Sequence, residues 1–133
     1  MSLPLKGKIL ALDLGTRRTG VSVSDIGQKI AFLRDEIEHE STDELLNVLK
    51  KLCSEEKMVG ILAGLPLHMS GAKSEQTERV LQQIETLKIL ELPIETIDER
   101  LSTKEAFAPK MKVVDSRAAQ ILLENFFNNT QRS

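Results

Sequence analysis

The stretch ILALDLGTRRTGVSVSD, from Ile9 to Asp25, limits the fold more than any other part of this sequence. Its apolar run is interrupted by Asp13, and Gly15 and Thr16 follow almost at once. Aspartate is a poor strand residue and is costly to bury, so something must offset that cost at the end of a buried strand. A metal ion, a phosphate or a tight turn could each do so, which makes Asp13 the first candidate for a functional residue.

The spacing of apolar residues predicts three strands followed by alternating helices and strands, in the order β-β-β-α-β-α-β-α. The strand Lys8–Leu14 and the alternating stretch TGVSVSD, which we expect to be half exposed, should form a hairpin, and QKIAFLRDEIE should follow as a third strand. The later elements are a helix capped at Ser41, the strand MVGILAGLP, a helix over Ser74–Leu90, the strand LPIETIDE, a short helix opening at Ser102, and a last helix over Asp115–Asn128. This order predicts an α/β domain with a mixed sheet flanked by helices.

Two helices carry apolar residues at helical spacing, which predicts the faces that they bury. These residues are Leu45, Val48, Leu49 and Leu52 in the first helix and Val80, Leu81, Ile84 and Leu87 in the second. The single cysteine, Cys53, lies on the first helix, and we interpret it as a packing residue rather than a nucleophile.

Length and composition narrow the class of protein. A chain of 133 residues favours one domain, over 1–133, and its longest apolar runs are far shorter than the roughly 20 residues of a membrane span. The N-terminus shows no secretory signal, and one cysteine fits a reducing compartment, so we expect a cytoplasmic protein. The net charge of −2 does not by itself indicate a nucleic-acid binder. Aromatic residues make up only 3%, which argues against base stacking on aromatic platforms as a mode of nucleic-acid binding.

Carboxylates from three distant segments can meet at one edge of the predicted sheet. Asp13 and the pair Asp98–Glu99 end two strands, and Asp115 begins the last helix on the same helix face as Ala118 and Ala119. Oxygen ligands select hard cations such as Mg²⁺ or Mn²⁺, and two such ions about 4 Å apart can promote hydrolysis of a phosphodiester. Each acid also has a simpler explanation: Asp115 as a helix cap, Asp13 as a turn residue, and Asp98–Glu99 as a solvated strand end.

Four segments resemble the YqgF family, also called RuvX, of Holliday junction resolvase-like proteins or pre-16S rRNA nucleases. They are LDLGTRRTGVSVSD, GLPLHMSG, IDERLSTKEA and DSRAAQILLENFF, and together they span nearly the whole chain. The resemblance implies an RNase H-like fold with a five-stranded mixed sheet, three antiparallel strands and then two parallel ones. It also implies a nuclease that uses bound Mg²⁺ or Mn²⁺ and acts in 5′-end processing of pre-16S rRNA during ribosome biogenesis.

Carried over by position, the resemblance makes Asp13, Asp115 and one or both of Asp98 and Glu99 the catalytic acids. Successive strand residues point to opposite faces, so Asp98 and Glu99 cannot both face the metals unless the strand has ended; we favour Glu99 as the ligand beside Asp13 and Asp115. The loop departs from the family, because His68 and Ser70 stand where an amide and a carboxylate are usual. This departure puts the loop's contribution to the site in question.

Basic and hydroxyl side chains near these acids are candidates for phosphate contacts, since the guanidinium fork suits phosphate oxygens and helix starts bind anions. The candidates for nucleic-acid binding are Arg17, Arg18, Lys73, Arg100, Ser102, Thr103 and Arg117, and Arg79 also flanks the glycine loop. Any one of them alone would be interpreted as an ordinary surface residue. We expect a nucleic-acid partner, RNA in preference to structured DNA, no membrane partner, and a monomer or weak homodimer.

Two other functions fit parts of the sequence. The turn after Asp13 also resembles the phosphate-binding turn of actin-like ATPases and sugar kinases, but those folds pair two such domains and this chain has the length of one. A binding module on an RNase H-like scaffold would have lost a site acid, whereas all three positions are acidic here. The absence of an evident fourth acid keeps this second alternative open, because Glu124 lies too far down the last helix.

Overall fold

The computed structural model describes residues 3–67, 74–98 and 116–129. It contains the strands β1 (Lys8–Asp13), β2 (Arg18–Ser24), β3 (Ala31–Glu38), β4 (Met58–Leu65) and β5 (Ile94–Asp98). The helices are α1 (Thr42–Glu56), α2 (Glu75–Leu87), which runs into a 3₁₀ turn over Lys88–Leu90, and α3 (Arg117–Asn129). The short helix predicted to open at Ser102 lies outside the described residues.

The five strands form one sheet in the order β3-β2-β1-β4-β5. β1, β2 and β3 are antiparallel neighbours, whereas β4 is parallel to β1 and β5 is parallel to β4. The predicted mixed sheet and the predicted β1–β2 hairpin are thereby confirmed. The arrangement brings the carboxyl ends of β1, β4 and β5 to the same edge, where sites of open α/β sheets collect.

Alternate residues of each strand face two separate apolar layers. On the side that we call the α1/α2 face, Leu10, Leu12 and Ile61 pack with residues of α1 and α2 such as Leu49 and Leu87. On the opposite side, the α3 face, strand residues pack against one helix; the cluster includes Ile9, Ala11, Leu62, Leu122, Leu123 and Phe126. The central strand β1 is therefore covered on both sides, and its residues from Ile9 to Leu12 are fully buried.

Three local predictions were wrong, each for a physical reason. β3 begins at Ala31 rather than Gln28, because the Asp25 carboxylate accepts the backbone amides of Lys29 and Ile30, both at 2.8 Å, and holds them in a turn. The second wrong prediction is the burial of Val48 in α1, whose side chain is 40% exposed. The helix turns its buried side toward Leu46 and Cys53 in addition to Leu45 and Leu49.

The third difference concerns β2, which is buried on both faces rather than half exposed. Its serines fall on the α3 face and are covered because they form hydrogen bonds there. Ser22 Oγ donates to the carbonyl of Ala119 in α3 at 2.9 Å, and Ser24 Oγ accepts the backbone amide of Ile9 at 2.8 Å. Polar side chains in an alternating strand are thus compatible with burial when each finds a partner.

Both helix starts on the α1/α2 face are capped by serine, as predicted for Ser41. Ser41 Oγ accepts the Glu44 amide at 3.1 Å. The Glu44 carboxylate accepts the backbone amide of Glu40 rather than that of Ser41, so Ser41 and Glu44 do not form a reciprocal capping box. Ser74 and Thr77 form a reciprocal capping box at the start of α2. The Thr77 hydroxyl also donates to the Pro66 carbonyl, which ties α2 to the end of β4.

Candidate active site

Asp13 is the last residue of β1 and lies at the carboxyl edge of the sheet. It is half-buried, and its register partner on β2 is Gly20. By the two-residue alternation of the strand, Asp13 shares the α3 face with Ile9 and Ala11. A strand that is fully buried from Ile9 to Leu12 therefore carries this carboxylate to the edge of the sheet.

The turn after Asp13 is tight and presents two arginines to solvent. A Cβ atom on Gly15 would clash with the carbonyl oxygen of Arg18, so this position needs glycine for close backbone approach. Arg17 and Arg18 are both exposed, and the Arg17 guanidinium lies 3.5 Å from the Glu40 carboxylate, which is also exposed. Exposed ion pairs of this kind contribute little, so Arg17 is available to a phosphate.

The start of α3 is fixed above β2, next to the strand that carries Asp13. The buried Ser116 Oγ accepts the backbone amide of Val21 at 2.9 Å. The β2–β3 register shifts between Thr19 and Val21, and such an irregularity leaves a strand amide available to a partner outside the ladder. Gly20, the neighbour of Val21, is the register partner of Asp13, so the first residue of this helix segment lies one strand away from Asp13 on the α3 face.

Of the predicted pair Asp98–Glu99, Asp98 lies within the described residues. Asp98 is the last residue of the strand and is in register with Leu65, which packs against the α1/α2 face. Ile97, one residue earlier, packs against the α3 face. Alternation thus assigns Asp98 to the opposite side of the sheet from Asp13.

Several predicted site residues lie outside the described residues, and their role stays a prediction. They are Lys73, Glu99, Arg100, Ser102, Thr103 and Asp115, together with the loop residues His68 and Ser70. Within the described segments, no three His, Cys, Asp or Glu side chains group closely enough to hold a metal ion. Arg117 is described and is exposed in the first turn of α3, one residue after the buried Ser116.

Two α2 residues support the turn after Asp13 in a way that the sequence did not reveal. Arg79, predicted only as a basic residue beside the glycine loop, donates from Nη2 to the Leu14 carbonyl at 3.2 Å. Gln83, which was not predicted at all, donates from Nε2 to the Gly15 carbonyl at 3.0 Å and is 5% exposed. The available signal was a glutamine one residue before Ile84 on a buried helix face, which by itself does not distinguish a packing residue from a supporting one.

A family model described as "RuvX: Holliday junction resolvase" matches residues 7–129. The chain belongs to the RuvX family. A RuvX relative from Clostridium novyi, named "Putative pre-16S rRNA nuclease", is 35% identical over 133 residues, covering 92% of this chain and 98% of its own. A protein of the same name from Pelagibacter ubique is 33% identical and covers 93% of this chain and 91% of its own.

A solved structure supports the predicted RNase H-like fold. Thermus thermophilus RuvC in complex with a Holliday junction substrate superposes with a TM-score of 0.62 at 11% identity, covering 96% of this chain and 98% of that one. At such low identity the likeness establishes the fold alone. The family and its relatives' names together identify this RuvX chain as a member of a nuclease family, as the sequence predicted. Within the described segments, no helix is both long and apolar enough to cross a bilayer.

Proposed function

We propose that this RuvX chain is a divalent-metal-dependent nuclease that hydrolyses RNA phosphodiester bonds in 5′-end processing of pre-16S rRNA. One observation carries the proposal: Asp13 is in register with Gly20 of β2, and Ser116, at the start of the α3 segment, accepts the amide of Val21, the next residue of β2. The names of the relatives support RNA as the substrate class. In the same proposal the protein is cytoplasmic and acts as a monomer or weak homodimer.

The proposed ligand set is Asp13, Glu99 and Asp115, holding Mg²⁺ or Mn²⁺. All three are carboxylates, the ligands that hard cations prefer. The hydrogen bond from the Val21 amide to Ser116 supports Asp115, since that residue directly precedes Ser116. The register of β5 supports Glu99 over Asp98, because Asp98 falls on the opposite face from Asp13.

When bound, the metal would polarise the phosphodiester and lower the pKa of a coordinated water. The chain's own contribution is positioning. The buried residues of β1 hold Asp13 in place, while the hydrogen bond between Ser116 and the Val21 amide holds the start of α3. Arg17, Arg18 and Arg117, all exposed, would contact the phosphates that flank the cleaved bond.

The first test is Asp13→Asn, which removes the charge and keeps the shape of the side chain. The purified variant and the wild type are incubated with Mn²⁺ or Mg²⁺ and an RNA that spans the 5′ end of 16S rRNA in its precursor. We expect metal-dependent cleavage by the wild type and a loss of at least about 100-fold in the variant. Asp35→Asn, at an exposed position on edge strand β3, is the matched control and should cut normally.

Further substrates and variants sharpen this test. A four-way DNA junction examines the second candidate, which the family description favours, and ATP hydrolysis measured in parallel examines the kinase-like alternative. Glu99→Gln should abolish cleavage, whereas Asp98→Asn should not. Cleavage of neither nucleic acid, with wild type and Asp13→Asn binding RNA equally, would contradict the catalytic proposal and favour a binding module.

A further inference from the structure

The end of the sheet opposite Asp13 exposes a group of large apolar side chains. β1 begins at Lys8, and a strand rises about 3.3 Å per residue, so this end lies about 17 Å from Asp13. Here the N-terminal segment meets the turn between β2 and β3, where the Gly7 amide donates to the Ile26 carbonyl at 2.8 Å. The exposed apolar side chains on these two segments are Leu5, Ile26 and Ile30, with exposed fractions of 72%, 65% and 54%. Clustered exposure of large apolar side chains is typical of a surface that binds a partner.

Polar contacts hold this turn in a fixed shape. Gln28, which is 2% exposed, donates from Nε2 to the carbonyls of Pro4 and Gly7, both at 3.0 Å. Its backbone has a φ of 59°, in the left-handed region that residues other than glycine adopt only at a cost. The Asp25 carboxylate accepts two more backbone amides of the turn. The apolar side chains are therefore presented by a preformed surface, which lowers the entropy cost of docking a partner.

A cavity of about 480 Å³ opens beside this turn, between the N-terminal segment and the end of α1. Its lining residues are Gly7, Lys8, Ile26, Glu55, Glu56 and Lys57. The volume falls within the roughly 300–1,000 Å³ of small-molecule sites, so the cavity can admit an apolar side chain of a partner. Protein–protein interfaces concentrate their binding energy in such anchor side chains, which fill a pocket on the other protein.

Basic side chains outnumber acidic ones at this end of the molecule, although the whole chain has a net charge of −2. The exposed lysines are Lys6, Lys29 and Lys57. Two nearby carboxylates are already engaged: Asp25 accepts backbone amides of the turn, and Glu56 accepts the Arg34 guanidinium at 2.9 Å. Glu55 is the exposed carboxylate of the cavity lining. The charge of this end therefore complements an acidic partner.

We propose that this amino-edge surface, formed by Leu5, Lys6, Ile26, Lys29, Ile30 and Lys57, docks an acidic segment of a partner protein. An apolar side chain of that segment enters the cavity, while its carboxylates face the lysines. A second copy of this chain fits less well, because a two-fold contact would place the lysines against themselves. A nucleic-acid backbone would leave the aliphatic side chains uncovered. The inference does not rest on the proposed nuclease activity, since the surface lies at the far end of β1 from Asp13.

The first experiment titrates the isotope-labelled full chain with a synthetic amphipathic peptide and follows the backbone amides of the protein by NMR. The peptide carries leucine at positions i, i+3, i+4 and i+7 and glutamate at the others. We expect saturable shifts at the amides of Gly7, Ile26, Lys29 and Lys57, with a Kd on the order of 10–100 μM. Peptides with lysine in place of glutamate, or serine in place of leucine, should bind at least about 10-fold more weakly. The absence of saturable shifts at these amides, or equal binding of the lysine peptide, would overturn the proposal.

Variants then assign the binding to this surface. Ile26→Ser should weaken binding of the glutamate–leucine peptide at least about 10-fold, because it removes an apolar side chain that lines the cavity. Ile89→Ser, the same change at a position that is 62% exposed after α2, is the matched control and should bind normally. Lys57→Gln should weaken binding about threefold at low salt, whereas Lys51→Gln, at an exposed position of α1, should not. Undiminished binding by Ile26→Ser would overturn the proposal, since the peptide would then bind elsewhere.

Three further measurements separate this proposal from its alternatives. An RNA oligonucleotide, titrated in EDTA so that no strand is cut, would overturn it by shifting the same amides as strongly as the peptide does. Sedimentation of a wild-type dimer that Ile26→Ser dissociates would also overturn it, because the occupant would then be a second copy. Ile26→Ser should keep the wild-type rate of RNA cleavage, and a loss of cleavage in the folded variant would assign this surface to catalysis instead of docking.

Discussion

The two faces of the sheet differ in how deeply the hydrogen bonds between the helices and the sheet are buried. On the α1/α2 face Leu10, Leu12, Leu45 and Leu49 are fully buried, and the hydrogen bonds that join α2 to the sheet, such as that from Arg79 to the Leu14 carbonyl, are only partly buried. On the α3 face, Ser116 accepts the Val21 amide of β2 and Ser22 of β2 donates to the Ala119 carbonyl, and both of these hydrogen bonds are buried. Gln120 also donates to the Ala31 carbonyl of β3. Apolar burial is strong but non-directional, whereas hydrogen bonds fix orientation. The difference teaches that the hydrogen bonds that orient α3 are shielded from water, on the face that carries Asp13.

The largest effect on stability should come from removing apolar volume from the α1/α2 face. Leu49→Ala should lower the free energy of unfolding by about 2–5 kcal/mol, because it leaves a cavity in a fully buried site. Denaturation in urea measures the loss, and activity per folded molecule should be unchanged. Val48→Ala, one residue earlier and 40% exposed, should cost far less. A folded Leu49→Ala protein without activity would show that this face also positions the site.

The complementary experiment removes a hydrogen bond that orients α3 on the sheet. Ser116→Ala leaves the buried Val21 amide without its acceptor, which should cost about 1–3 kcal/mol of stability. If the proposed metal site is correct, cleavage should fall by more than the folded fraction does, because the start of α3 loses its anchor. Urea denaturation and the cleavage rate at saturating Mn²⁺ measure the two effects.

Ser24→Ala provides the matched control for Ser116→Ala. Ser24 is equally buried and its hydroxyl also accepts a backbone amide, that of Ile9, but both of its hydrogen bonds are to residues outside α3. Its loss should cost similar stability and leave the activity of the folded protein unchanged. Equal loss of activity in both variants would remove the distinction between the anchoring serine and an ordinary buried one.

The sequence predicted the sheet and its helices well because periodicity and caps are local signals. Lys8–Leu14 and the helix after Ser41 are recognisable from adjacent residues alone. The burial of Ser22 could not be predicted in this way, because its partner Ala119 is 97 residues away. A polar residue that alternates with valines looks solvent-facing until a distant helix covers it.

For the site, the sequence predicted the acids but not the residues that support the turn after Asp13. Asp13 stood out because an aspartate ends an apolar run, which is costly without a compensating function. Arg79 and Gln83 carry no such cost in the sequence, since both residue types are common on exposed helix faces. Only the close approach of α2 to the Leu14 and Gly15 carbonyls reveals their role.

A smaller effect on stability should come from His39, a buried polar side chain beside the α1/α2 face. Its Nε2 lies 2.9 Å from the Thr19 hydroxyl, and burial lowers the pKa of its imidazole although Glu44 and Glu40 oppose this effect. The unfolded chain therefore binds a proton more readily than the folded protein does. Stability should consequently be full above about pH 6.5, the ordinary pKa of histidine, and decline as the pH falls below it.

Comparison of the wild type with His39→Gln isolates this contribution. The two proteins share all their carboxylates and His68, so the difference between their stability curves from pH 5 to pH 8 belongs to His39. Urea denaturation at each pH should show a shallower decline for the variant on the acid side. Parallel curves would mean that His39 is protonated as easily in the folded protein as in the unfolded chain.

The smallest expected effect concerns Cys53, and it tests whether the α1/α2 face carries any chemistry. Desolvation raises the pKa of this buried thiol to about 11. The thiolate is the reactive form, so iodoacetamide at pH 8 should label the native protein far more slowly than the urea-unfolded chain. Cys53→Ala should keep full cleavage activity. Rapid native labelling, measured by mass spectrometry, would mean that α1 opens easily and that apolar packing does not hold this face closed.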